Sequence, residues 1–323
     1  MTNHLIGQTA ALLAAITWAV AVVLFKRSGE RVPPIALNLY KNAVALILLG
    51  LTLGLLILVD PSHGLAEVRE FPPGDFCILM ASGVLGIAVA DTLFFYALNL
   101  IGVGLISIVD CCYSPCVLAL AWLLLSETIS APHYVGGALI LLGIFIASGH
   151  RPPEGRTRGQ LLAGIALAVL AISLMAFGVV IAKPILEKMA VIWSTTIRLA
   201  AGAIMLALFA LIGPARQAHW SVFRPSAGWK AALPASILGT YFSLVFWIAG
   251  FKYTYASVAA VLNQTSVIFA IILAGIFLKE PFGKRKAAAV ALALTGVAIV
   301  TLAERMQSAW HQLRTAVAAW GGW

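Results

Sequence analysis

Charge is scarce in this sequence. Only 10% of its residues are Asp, Glu, Lys or Arg, against about a quarter in a soluble domain. Apolar residues make up 62%. No water-soluble fold of 323 residues hides that much apolar surface, so the chain belongs in a bilayer. Short alternating strands are also missing, which argues against a membrane barrel. The apolar runs are instead continuous and close to ~20 residues, the length a helix needs to cross ~30 Å of hydrocarbon.

Cysteine is sparse too. Cys77, Cys111, Cys112 and Cys116 all lie inside apolar runs, so no disulfide framework is expected. Cys112 and Cys116 share a helix face. They read as small buried apolar residues and not as a soft-metal site, and no metal or cofactor is expected. The sequence has no Gly-rich phosphate loop ending in Gly-Lys-Ser/Thr, which speaks against ATP drive. It has no His-Glu-x-x-His and no Gly-x-Ser-x-Gly, so neither zinc proteolysis nor a serine nucleophile elbow has support. Met1 to Gln8 carries no Lys or Arg, so the first run is expected to be a retained helix and not a cleaved signal.

What is present is a series of ten apolar segments. They are Leu5–Phe25, Ile35–Val59, Phe76–Leu98, Val103–Leu125, Tyr134–Ser148, Leu161–Ala182, Val191–Ile212, Trp229–Gly250, Ala256–Leu278 and Ala287–Ala303. The expected fold class is an all-α integral membrane protein of ten spans. The stretch Arg151-Pro152-Pro153-Glu154-Gly155-Arg156-Thr157-Arg158 is charged and rich in helix breakers, and divides the chain into residues 1–150 and 151–303. In residues 304–323, Met306, Trp310, Leu313, Val317 and Trp320 recur at helical spacing, which predicts an amphipathic tail lying in the interface.

The two halves echo each other. Leu125-Ser126-Glu127 closes one segment and Leu278-Lys279-Glu280 closes another, 153 positions on. The same offset sets Gly86 on Gly239, Gly143 on Gly296 and Asp110 on Asn263. Near the start of each half an offset of 157 sets Lys41 on Arg198 and Lys26 on Lys183. Five segments per half is an odd number, so the second copy enters the membrane upside down, with a site between the halves. Both glutamates sit at segment ends and are expected to bond the segment that follows.

These features together resemble the EamA family of the drug/metabolite transporter superfamily, ten-helix carriers. The resemblance rests on Gly102-Val103-Gly104-Leu105-Ile106-Ser107 leading to Glu127, and on Ala256-Ser257-Val258-Ala259-Ala260 leading to Glu280. A small-residue segment with Gly143 or Gly296 follows each, and the basic residues Lys41 and Arg198 stand early in the second and seventh segments. It covers about residues 5–303 and implies a secondary transporter. The first segment lacks the glutamate by which small four-helix relatives bind cations, so a strictly cationic efflux role is less supported.

Charged groups at membrane depth are costly and are functional candidates by default. Asp91 and Asp110 are expected about 12 Å below one surface, facing each other or one water-filled cavity, where they suit proton exchange; the alternative is that one carboxylate pairs with a nearby Lys or caps a hydrogen-bond network. Asn263 and Gln264 enter from the opposite face to nearly the same depth. They either read a substrate or hydrogen-bond between helices. Lys41 and Arg198 either attract an anionic group or snorkel to the interface, and snorkelling is favoured. Lys26 is expected to be solvated at the interface. Trp18, Asn38, Tyr40, Tyr96, Tyr113, Tyr241 and Trp247 are candidate cavity walls, each with core packing as the alternative. Pro115 is a candidate hinge.

Thirteen Lys and Arg fall in the connectors after odd-numbered segments and six on the other side. This places the odd connectors in the cytoplasm and both termini outside. The family habit is the reverse. The expected function is alternating-access transport of a small organic metabolite such as an amino acid, in the export direction. It is driven by protons or runs by exchange, in the inner (plasma) membrane. The alternatives are a nucleotide-sugar or lipid-linked substrate and, from another class, an intramembrane enzyme. Partners are the substrate, the lipid bilayer and protons, with no nucleic acid, and the protein is expected as a monomer or homodimer.

Overall fold

The computed structural model describes residues 2–30, 32–59, 71–125, 131–148, 156–212, 215–225, 228–253, 256–280, 283–299 and 302. Glu127 and the tail at 304–323 lie outside them. No strand occurs among the described residues. The helices are α1 (Thr2–Gly29), α2 (Pro34–Val59), α3 (Pro73–Gly83), α4 (Asp91–Asp110), α5 (Tyr113–Leu125) and α6 (Ala131–Ser148). They continue as α7 (Arg158–Leu186), α8 (Val191–Leu211), α9 (Arg216–Trp220), α10 (Trp229–Ser236), α11 (Ser243–Tyr253), α12 (Ala256–Phe277) and α13 (284–299). Among the described residues, six helical stretches are long and apolar enough to cross a membrane; Tyr134–Ile146 and Leu262–Phe277 are shorter apolar helices.

The bundle inverts the soluble pattern. Leu51, Leu58, Leu141, Phe145, Ile204 and Ile276 stand on its outside, more than half exposed. Its interior is rich in alanine and holds polar groups such as Asn38, Lys41, Asn42, Thr195 and Arg198. With no hydrophobic force between helices in lipid, small residues that allow close backbone contact supply the cohesion. Gly83 is the extreme case, since a Cβ there would sit 2.0 Å from the Arg198 carbonyl oxygen. Gly83→Ala is therefore expected to push α3 off α8 at a cost of about 3 kcal/mol. The check is the monodisperse yield and the melting temperature in detergent.

Two departures from regular α-helix recur in register. Val84–Ala90 and Ile237–Phe242 are π-helical, and they start 153 positions apart. α3, this π segment and α4 form one continuous stretch up to Gly102, which breaks it at φ 77° and ψ 172°. A helix ends there and another begins.

The expected fourth segment is itself interrupted. α4 stops at Asp110, Cys111–Cys112 form a turn, and α5 resumes at Tyr113. Pro115 is therefore not inside an unbroken helix. Its missing N–H and ring disfavour a helical bond to the carbonyl of Cys111, which places the interruption just before it.

The halves also touch reciprocally. A Cβ on Gly143 would meet the Ala289 carbonyl at 2.8 Å, and one on Gly296 would meet the Gly136 carbonyl at 2.5 Å. Gly296 and Ala289 are the 153-offset mates of Gly143 and Gly136. Contacts that exchange partners in this way are what a two-fold axis produces.

Candidate functional site

At the centre of the helices lies a cavity of about 160 Å³, room for on the order of ten waters. α1, α2, α4, the first residue of α5, α7, α8, α11 and α12, and both π segments reach its wall. The π segments contribute Gly86 and Ile87 from one half, and Gly239 and Thr240 from the other. A π turn offers carbonyls without a regular helical partner. Asn38 takes two of them, donating from Nδ2 to Ile87 O at 2.9 Å and Ala88 O at 3.3 Å. Thr92 donates to Ala88 O at 2.6 Å.

Among the described residues, four charged side chains face this cavity: Lys41, Asp91, Asp110 and Arg198. Lys41 and Asp91 neutralise each other. The Lys41 ammonium donates to Asp91 Oδ2 at 2.6 Å and to Asn42 Oδ1 at 3.0 Å. It also lies 5.8 Å from the Phe95 ring centroid. This corrects one expectation: Lys41 does not snorkel; it is 4% exposed. Asp91 shares the cavity wall with Asp110, one of the two expected arrangements, and its charge is paired with the Lys41 ammonium, the expected alternative.

Arg198 does not snorkel either; it is also 4% exposed. Its Nε donates to Ser82 Oγ at 3.0 Å, and its guanidinium lies 5.9 Å from the Trp247 ring centroid. Among the described residues no carboxylate stands within ion-pair distance of it. The repeat explains why: Arg198 is the mate of Lys41, but the mate of Asp91 is Leu244, also on the wall. Asp110 accepts no hydrogen bond among the described residues. Tyr113 lies within electrostatic reach of both Asp110 and Arg198. The Tyr113 hydroxyl and Gln264 Oε1 are buried without a partner among the described residues, and both residues line the cavity.

The sequence candidates thus divide. Trp18, Lys41, Asp91, Asp110, Tyr113, Arg198, Trp247, Asn263 and Gln264 share the wall. Four do not. Asn38 is spent on the π carbonyls. Tyr40 is buried against Trp229 and Phe223, at 5.1 and 6.0 Å between centroids. The Tyr241 hydroxyl is bonded to Thr52 Oγ1 at 2.7 Å. Tyr96 is 40% exposed on the outside. Sequence reasoning missed Phe94, Met175, Thr240, Ser243 and Ser266 on the wall. Thr240 and Ser243 carried a readable signal: two hydroxyls within one turn of Gly239, the register mate of Gly86. No metal-binding cluster of His, Cys, Asp and Glu occurs among the described residues.

Two residues at segment ends also make ties: Lys26 is not simply solvated at the interface, and Glu280 bonds the following segment as expected and reaches further. The Lys26 ammonium donates to the carbonyls of Leu98 and Asn99, both at 3.2 Å, and so ties down a helix end. Glu280 accepts from Lys286 at 3.3 Å in the segment that follows. It also accepts the backbone N–H groups of Val103 and Gly104, in the other half, at 2.8 and 2.9 Å.

Apolar residues toward lipid and a ring of charges around an internal chamber define a polytopic membrane protein that can hold a small solute among its helices. A solved crystal structure shares the fold, at 20% identity and a TM-score of 0.65 over 95% of this chain and 98% of that one. No curated protein sequence matches. The model of the EamA-like transporter family matches twice, at residues 5–149 and 162–302, and the chain belongs to that family. It is a multi-pass membrane transporter of the drug/metabolite transporter superfamily, built from two EamA repeats.

Proposed function

We infer that this transporter is a secondary carrier of a small zwitterionic metabolite, an amino acid in type. It works by alternating access between two inverted five-helix repeats in the inner (plasma) membrane. The observation that carries the reading is the pair of opposite charges, Arg198 and Asp110, left unpaired on one chamber wall among the described residues. A substrate carboxylate satisfies the first and a substrate ammonium the second. Trp18, Phe94 and Trp247 offer an apolar enclosure for the remaining side chain. Tyr113 and Gln264 bring unspent hydrogen-bonding groups.

The same wall weighs against a nucleotide-sugar. A diphosphate needs several cations. Here Lys41 is neutralised by Asp91, and Asp110 repels phosphate.

Ten spans follow if the chain reverses at Gly102. Pro73–Asp110 would otherwise be a helix of 38 residues, about 57 Å long and too long for ~30 Å of hydrocarbon. An odd count per repeat then inverts the second copy. The reciprocal contacts at Gly143 and Gly296 support the two-fold relation. Of the two acidic candidates, Asp110 is the one free to exchange a proton, because Asp91 is held by Lys41. The turn at Cys111–Cys112 beside Pro115 is the proposed hinge. Residues 1–150 and 151–303 are the proposed repeat units.

Proteoliposome flux with a panel of zwitterions, their methyl esters and their deaminated analogues tests this. Uptake is expected for zwitterions alone. Equal flux of all three sets overturns the charge-pair reading. Asp110→Asn is expected to abolish acceleration by an imposed pH gradient, while exchange of preloaded substrate persists only at substrate concentrations raised to offset the lost ammonium contact. Acceleration unchanged in Asp110→Asn overturns the proton assignment.

A further inference from the structure

We propose that Glu280 is the latch of a gate, closed in this structure, at the end of the bundle that carries the connectors after α1 and α8. Its carboxylate spans the repeats. One oxygen accepts the N–H of Val103 and the other that of Gly104. These are the first free donors of the helix that starts after Gly102, where partial positive charge is greatest. Lys286 holds the same carboxylate from the repeat to which Glu280 belongs. Such charge-assisted bonds are about twice as strong as neutral ones. Lys26 fixes the other arm of the turn through the Leu98 and Asn99 carbonyls.

A second observation sets a narrow space next to the chamber. A separate cavity of about 10 Å³ shares Trp18, Phe94, Asp110 and Ser266 with the chamber and is walled also by Val22, Ile106 and Ala270; it is the constriction of the proposed route out. That is space for about one water.

Three helices repeat one order along their length: chamber, constriction, latch. On α1 it runs Trp18, Val22, Lys26. On α4 it runs Asp110, Ile106, Val103. Along α12 and just past it, it runs Ser266, Ala270, Glu280. Separating α4 from α12 opens the constriction, and that motion must first break the bonds of Glu280.

The gate rests on the carrier reading only in that a carrier needs one. Its test uses no substrate. Ile106, 1% exposed, is replaced by cysteine in a chain freed of Cys77, Cys111, Cys112 and Cys116. A membrane-impermeant maleimide is then applied to each face of sealed vesicles. Slow labelling from both faces is expected. Glu280→Gln should raise the rate at least fivefold from the latch face alone.

Gly104→Ala provides a second route that keeps every charge. Its Cβ would fall 2.0 Å from the Lys286 ammonium and 3.0 Å from Glu280 Oε2, forcing the latch apart. The same one-sided rise is expected. Unchanged labelling in both variants, at wild-type melting temperature, overturns the gate. So does an equal rise from both faces. Loss of zwitterion transport in the panel above would leave this result standing, so the two readings fail separately.

Discussion

Lys41→Met is expected to destabilise the protein by about 3–5 kcal/mol, and adding Asp91→Asn is expected to restore most of that loss. The 2.6 Å pair is buried, with side-chain exposures of 5% and 15%. Methionine fills nearly the same volume as lysine, so packing changes little. What changes is that the Asp91 carboxylate keeps its charge and loses the ammonium that made burial tolerable. The amide introduced by Asp91→Asn in the double variant removes that charge. Denaturant or thermal unfolding in detergent, run as a double-mutant cycle, reads the coupling directly. A coupling above about 2 kcal/mol is expected. Additive losses would mean that water in the chamber already screens Asp91.

The second large effect concerns binding. Arg198→Met is expected to weaken binding of the transported zwitterion by about 3 kcal/mol, more than a hundredfold in Kd. Arg198→Lys is expected to fall between the two, since it keeps the charge and loses the planar fork that grips a carboxylate by two bonds. Titration calorimetry on the detergent-solubilised carrier measures both. A melting temperature within a few degrees of wild type separates this effect from damage to the α3–α8 contact. That contact runs through the Arg198 backbone, which the substitution leaves in place, and through the Nε bond to Ser82 Oγ, which it removes.

Much of this arrangement is legible in the sequence because a bilayer makes polar residues conspicuous. Asp91, Asp110, Asn263 and Gln264 stand out in apolar runs, and depth follows from counting residues along a helix. Rotation about the helix axis does not follow. The tyrosines show this: Tyr40, Tyr96 and Tyr241 sit in apolar segments as Tyr113 does, yet only Tyr113 turns into the chamber. Pairing is equally hidden. Nothing local in the sequence says that Lys41 meets Asp91, since the meeting depends on how α2 packs against α4. The π segments escape as well, because a pattern read at 3.6 residues per turn has no place for a wider one. Glu280 could be placed at a helix end but not joined to Val103, since that bond spans 177 residues and two repeats.

The matched π segments also carry a date. A residue inserted into a helix after the gene doubled would widen one copy only. Both copies are widened, at positions 153 apart, as an insertion older than the fusion would leave them. In register, Asp91 stands where the second copy has Leu244, and Asp110 where it has Asn263, so the two halves keep the bulge in common while their charges have parted.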